Sequence, residues 1–546
     1  MKKEVLMICV VLLVCLASGS IGAEKKTIRI EGAKQLCRGN LAGTELTKEG
    51  LITLKQAGVS SVDSKPIYST FGTYTYEIAL PVNSSVLQIA ALAPEMPSQE
   101  KSPFKWSNWP CVTTDIITQV CFLQPNGEWT VWQPHNLLAG GDFNDKNQNG
   151  IPDWTNVFLQ RSGHNSIFVD RSIIGWQPPE NSWYCNNDMP LTGKFMDTIG
   201  LPIDASQSFR LERHTHDGQD VAEMCKDLVP PNATLTVSGW NRYDIEPKAS
   251  MGVMARFHEY DAEGRRINKY VLLGDDDFHQ PSGHSLWQWR ALTFTTLPTT
   301  ARLGIYPIRM ITAQGQAWAA NWEVREGAVY SEWGSSEAIF KEEFLHLDNW
   351  KLSHPAVSAL KPSGYSGSHS LVMEPPPLVV ATAVQKDFIQ VQEGKLYAFR
   401  IAMQNDASEK YELTHETWVS CYFEFFDENK HFLDYVKAMA FRPSLERPIG
   451  AAMVAPPGSR FARFLLVASH ITYGDRKKIT ERMSASFSAL QLEESAYNMT
   501  WTPRPAGAVI EFQMPVRATR MKIKSLLLSR DRLVSPSFSG YSILVF

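Results

Sequence analysis

From Leu137 to Gly327 the chain alternates apolar and polar residues in short runs, each ended by Gly, Pro, Asp or Asn, a grammar that admits strands and little else. Ser208-Phe209-Arg210-Leu211-Glu212 and Leu235-Thr236-Val237-Ser238-Gly239-Trp240 have period two. Met251 to His258 runs into the turn Asp261-Ala262-Glu263-Gly264, and Trp289 to Thr295 and Thr300 to Ile305 follow. The stretch closes on Ala317-Trp318-Ala319-Ala320-Asn321-Trp322-Glu323-Val324. Strands at this spacing, joined by such turns, build a β-sandwich or jelly roll.

The same order recurs from about Ala338 to Glu494. Ser370 to Met373 corresponds to the Phe209 run, Lys395 to Ile401 to the Leu235 run, and Trp418 to Phe426 with its turn Asp427-Glu428-Asn429-Lys430 to the Met251 run. Phe461 to Val467 and Ser486 to Leu492 complete the series, which reads as a duplicated module. Before it, Lys26 to Trp132 also alternates short β-like runs with turns, and Asn126-Gly127 predicts a hairpin between Val120–Leu123 and Trp129–Trp132. The expected fold class is therefore all-β, with tandem β-sandwich or jelly-roll domains after an N-terminal signal peptide. The boundaries are 1–23 for the signal, 26–135, 137–327 and 338–494 for three β domains, and 496–546 for a β tail assigned to no domain.

Met1-Lys2-Lys3-Glu4, the apolar run Val5 to Ala17 and the small residues Ser18 to Ala23 read as a secretory signal cleaved near Ala23. That run is too short for a membrane span, and no other is long enough, so the mature chain is expected to be secreted or extracytoplasmic, without a transmembrane span. A net charge of −4 gives no basic surface for nucleic acid. Removing the signal leaves Cys37, Cys111, Cys121, Cys185, Cys225 and Cys421. Within-domain pairing favours Cys111–Cys121 and Cys185–Cys225, with buried free thiols as the alternative.

Asp145, Asn147, Asn149 and Asp153 stand at positions 1, 3, 5 and 9 of a loop with Gly150 at position 6, and Ile151 offers its carbonyl at position 7. Oxygen donors at alternate positions with a Gly at the sharp turn suit Ca²⁺ in a structural role, although Asn156 stands where an EF-hand has its bidentate Glu. A polar turn without an ion is the alternative. For sugar, the needed chemistry is an aromatic face beside planar hydrogen-bonding groups. Trp176, Trp183 and Tyr184 lie in a Pro/Asn-rich loop and are candidates for ligand contact or for plugging the sandwich edge. Trp287 and Trp318 are further candidates, whereas Trp240 and Trp289 on alternating strands are expected in the core. His214 and His216 share one strand face, which admits a metal, but with no third ligand nearby a ligand-contact loop or solvated strand end is favoured. Asp276, in an acidic run, is a candidate acceptor for sugar hydroxyls or part of a second ion site, with a solvated loop as the alternative.

The second region resembles the galactose-binding-like jelly rolls of carbohydrate-binding module families 4 and 9. The likeness lies in Leu138-Ala139-Gly140-Gly141-Asp142-Phe143, Phe209 to Glu212, Ser238-Gly239-Trp240, Tyr260 to Gly264 and Trp289 to Thr295. It covers about a third of the chain, with a fainter copy over another third. The resemblance implies a glycan ligand and a calcium held partly by an acidic residue on the last strand. Here that strand reads Asn321-Trp322-Glu323-Val324, and in the copy Phe487-Ser488-Ala489-Leu490, so the implied ion site is altered in one and missing from the other.

No Gly-x-Ser-x-Gly elbow, His-Glu-x-x-His helix, phosphate loop or dinucleotide fingerprint is present. The expectation is non-catalytic extracytoplasmic binding of a glycan or polysaccharide through aromatic-lined sandwiches. Two alternatives stay open at this point: a polysaccharide hydrolase or lyase with ancillary sandwiches, and a structural envelope or adhesion protein.

Overall fold

The computed structural model describes residues 25–59, 64–97, 114–133, 136–138, 155–158, 165–170, 208–213, 219–224, 227–262, 265–274, 283–377, 379–406, 418–470, 483–499, 509–529 and 534–546. Their regular structure is almost entirely β-strand, in antiparallel sheets that form β-sandwiches. Among the described residues no helix is long and apolar enough to cross a membrane. Two compact units emerge, and the first is discontinuous: it joins the chain up to Pro97 with Thr114–Pro134 and with everything from Pro505 onward.

In that first unit one sheet runs Lys26–Glu31, Gly540–Val545, Ser85–Leu92 and Val509–Arg517, and the other runs Asn40–Ala42, Phe71–Ala79, Arg520–Ser529 and Thr114–Phe122. The C-terminal segment is thus no appendage. Arg520–Ser529 lies between Phe71–Ala79 and Thr114–Phe122, pairing with both along its length. Period-two alternation sets the core: Tyr74 and Tyr76 point inward from one strand, Met521 and Ile523 from the next. Tyr74 and Tyr541 stack at 6.2 Å, and the buried hydroxyls are satisfied, Tyr74 by donating to the Leu36 carbonyl and Tyr541 by pairing with Ser525. Cys121 is buried and free, so the expected Cys111–Cys121 bridge is not formed, and the sulfur packs as a small apolar group. Cys185 and Cys225 lie outside the described residues.

The second unit holds both copies of the duplicated pattern. In the first copy Ser208–Arg213 and both halves of the long strand Thr234–Tyr260 pair with Arg302–Glu326. In the second, Ser370–Met373 and Leu396–Asn405 pair with Ala485–Glu494, while Trp418–Phe426 pairs with Phe461–Ser469. What is continuous strand in one copy is divided in two in the other; the ladder order is the same. Gly239 shows why the Ser-Gly-Trp segment reads as it does. A Cβ there would lie 2.5 Å from the ring of Trp322, which is fully buried beneath it.

The copies are not separate domains on a linker. Gln288–Thr295 pairs edge to edge with Ile449–Val454, and Arg266–Leu273 pairs with Phe432–Ala440, so the sheet continues from one sandwich into the other. Arg290, 1% exposed, clamps the junction by donating to both carboxylate oxygens of Asp434 at 2.8 and 2.7 Å. Gly450 is obligatory at that seam, since a Cβ would meet the Phe399 carbonyl and the Tyr330 ring.

Candidate functional site

The sheet strand Thr234–Tyr260 sends Leu235 and Val237 into the sandwich core, which puts Trp240 on the opposite face. Its cross-strand partners are Ala320 on one side and Trp289 on the other. Trp240 packs against Trp287, Trp318 and Ala320, and also against the cluster that holds Trp289. Four tryptophans from three segments therefore meet on one side of the sheet.

They differ in what they leave open. Trp289 is 1% exposed, as expected of a core residue, and Trp318 is 4% exposed with the Arg242 guanidinium 5.2 Å from its ring centre. Trp287 is 7% exposed. Trp240, expected in the core, is only half-buried. The reason is parity: a strand whose two faces are both largely covered gives no alternation to read, and Trp240 lies on the face away from Leu235 and Val237.

Trp240 and Trp287 form one wall of a cleft of about 400 Å³ at the seam between the two sandwiches. Leu286 and Gln288 continue that wall, and Glu393, Gly394, Val454, Ala455, Pro456 and Pro457 of the second copy make the opposite one. The walls are tied to one another. Gln288 donates its side-chain amide across to the Val454 carbonyl, and within the second wall the Gly394 amide donates to the Ala455 carbonyl at 2.9 Å and the Ala455 amide to the Lys395 carbonyl at 2.8 Å. Glu393 accepts a 2.7 Å bond from the Gly458 amide, which fixes its carboxylate at the rim with further acceptor capacity. Such a cleft is the right size for a small ligand, apolar in its walls, with few polar groups to orient what enters.

Of the residues singled out in the sequence, the structure brings Trp287 and Trp318 together with Trp240. Trp176, Trp183, Tyr184, His214, His216 and Asp276 lie outside the described residues, as do the calcium-loop residues Asp145, Asn147, Asn149, Ile151 and Asp153. Among the described residues no group of three or more His, Cys, Asp or Glu is placed to hold a metal ion. Glu323, the acidic residue on the last strand, receives Ser238 Oγ at 3.0 Å and Arg325 at 2.8 Å, so a cation side chain sits against its carboxylate. Sequence reading did not mark Glu393 or the Pro456-Pro457 turn, because they come from the other copy and carry only turn chemistry.

No protein-family model matches the chain, and no curated protein matches its sequence. Solved structures do resemble it distantly. The tandem of two family 22 carbohydrate-binding modules from Paenibacillus barcinonensis Xyn10C is 11% identical, covering 66% of this chain and 98% of its own, with a TM-score of 0.23. The C-terminal family 22 module of Clostridium thermocellum Xyn10B is 13% identical over 30% of this chain and 99% of its own, TM-score 0.21. TmCBM61, solved with β-1,4-galactotriose, is 8% identical over 30% of this chain and all of its own, TM-score 0.20. The likeness is to carbohydrate-binding β-sandwich modules at the level of fold, without a family assignment from sequence.

Proposed function

We propose that this chain is an exported, non-catalytic glycan-binding protein, and that the seam cleft of its second unit is a saccharide site. The observation that carries the reading is Trp240: a half-buried indole, packed with Trp287 and Trp289, lining a cleft whose rim bears a fixed carboxylate. A pyranose offers C–H groups to such a ring and hydroxyl donors to Glu393. Among the described residues lining the cleft Glu393 is the one carboxylate, whereas glycoside hydrolysis uses two. Calcium at Asp145 to Asp153 would act as a structural ion beside this function.

The test is a glycan array probed with the full chain, with and without a chelator, alongside a reducing-sugar assay on the same glycans. We expect retention on at least one glycan, about tenfold weaker for Trp240→Ala, and no sugar release. Retention unaffected by Trp240→Ala, or absent from every glycan, overturns the proposal. Sugar release would move the protein to the hydrolase or lyase class.

A further inference from the structure

The outer face of the first unit carries a second aromatic arrangement, on the edge strand Thr114–Phe122. The chain turns at Gly127, where φ is 87°, and returns along that edge through two antiparallel bridges, Leu123 with Trp129 and Val120 with Gln133. Between those bridges the chain advances three residues on one side and four on the other. The extra residue is a bulge, and it has a consequence for the two indoles. On a regular strand residues 129 and 132 would face opposite ways, since their separation is odd; the bulge re-aims them to one face.

That face belongs to Arg520–Ser529, where Met521 and Ile523 point into the core and Arg520, Lys522 and Lys524 point away from it. Lys522 Nζ lies 3.9 Å from the Trp129 ring centre and Lys524 Nζ lies 4.8 Å from that of Trp132. The two lysines are two residues apart on one strand, roughly 7 Å, so the indoles sit side by side over a ladder of ammonium groups. Each indole is half-buried. The Lys522 and Lys524 ammonium groups occupy one flank of the pair. Among the described residues Glu77 pairs with both Arg520 and Lys522.

We infer that Trp129 and Trp132 form a second saccharide platform, one for polysaccharide chains that bear carboxylates. The indoles supply flat surface for successive sugar rings, and Arg520, Lys522 and Lys524 supply charge for uronate groups. The inference takes its ligand class from the glycan-binding reading, but the platform is a different site from the seam cleft and is tested apart from it.

The experiment is affinity electrophoresis of the full chain in gels containing polygalacturonate or the same polymer methyl-esterified. The wild-type chain is expected to be retarded by polygalacturonate, and less by the uncharged ester. Trp129→Ala with Trp132→Ala should weaken the apparent affinity about tenfold or more, and Lys522→Met should weaken it less, with a smaller response to added salt. Trp129→Phe with Trp132→Phe, which keeps flat rings, should recover most of the binding. A thermal melt of each variant confirms that it is folded. No retardation by polygalacturonate, or equal retardation of the folded double-alanine variant, each overturns the platform. If the glycan array is positive while polygalacturonate is ignored, only the platform fails.

Discussion

Asn321 and Ala489 hold the same backbone position in the two sandwiches of the second unit, with φ of 47° and 48°. Each lies in a bulge on the last strand. Ser238 and Trp240 face Glu323 and Ala320 in one copy, and Arg400 and Ala402 face Gln491 and Ser488 in the other, so between the paired positions one residue opposes two in both. The bulge turns Trp322 of the first copy and Leu490 of the second into their cores, where both are fully buried. Asn tolerates this left-handed conformation, whereas Ala does so at a cost of about 1–2 kcal/mol. Ala489→Gly relieves that strain and gives up a buried methyl, worth about 0.8 kcal/mol. The net expectation is a gain of up to about 1 kcal/mol, read as a higher urea midpoint; a lower midpoint would show that the methyl contact outweighs the strain.

The seam between the copies depends on Arg290 and Asp434. With Arg290 1% exposed, removing its partner leaves a guanidinium without its counter-charge in a dry site. Asp434→Ala is therefore expected to cost about 3 kcal/mol or more, well above a surface pair. The loss should appear as separate unfolding of the two sandwiches in calorimetry, because Arg290 and Asp434 belong to different copies. A single transition at the wild-type temperature would show that strand pairing alone holds the seam.

His258 is buried, with Nδ1 3.2 Å from the Tyr260 hydroxyl. Burial, aided by Arg256, Arg266, Lys269 and Arg309, holds its ionisation well below the usual histidine range of about 6.5. The unfolded chain then binds a proton that the folded one refuses. Stability contributed by the neutral ring is present above pH 6.5 and falls as pH drops below it, with a slope approaching about 1.4 kcal/mol per pH unit. Thermal melts between pH 7.5 and 5 should show that slope flattened in His258→Gln, whatever the variant's stability at pH 7.5. An identical slope in both proteins would rule out His258 as the titrating group.

The sequence announced strands wherever one sheet face is wet, and was silent about contacts made far along the chain. Tyr74 and Tyr76 show the first case, since their alternation maps directly onto the core. Arg520 to Ser529 shows the second: its strand character is visible, but nothing local says that it inserts between Phe71–Ala79 and Thr114–Phe122. The Ser-Gly-Trp segment was legible as a strand, while the reason for Gly239 is Trp322, more than eighty residues away. The cleft was harder still. Trp240 and Trp287 belong to one copy and Glu393 and Val454 to the other, and the site exists only because the two copies pair edge to edge. Trp129 and Trp132 follow the same rule on a smaller scale, because a single extra residue decides which way an indole faces.

Three cysteines give a chemical check on the fold. Cys37 is exposed, whereas Cys121 and Cys421 are buried. Burial raises the Cys421 thiol well above its usual range, since a thiolate there would lose its hydration. At Cys121 burial also raises it and prevails over the opposing pull of Lys522 and Lys524. Brief treatment of the native chain with N-ethylmaleimide at pH 7 should therefore label Cys37 and spare the other two, as read by peptide mass spectrometry. After denaturation without reductant all three should label. Failure of Cys121 to label under those conditions would place it in a disulfide, and rapid labelling in the native chain would show that the outer face carrying Trp129 and Trp132 does not cover the sulfur.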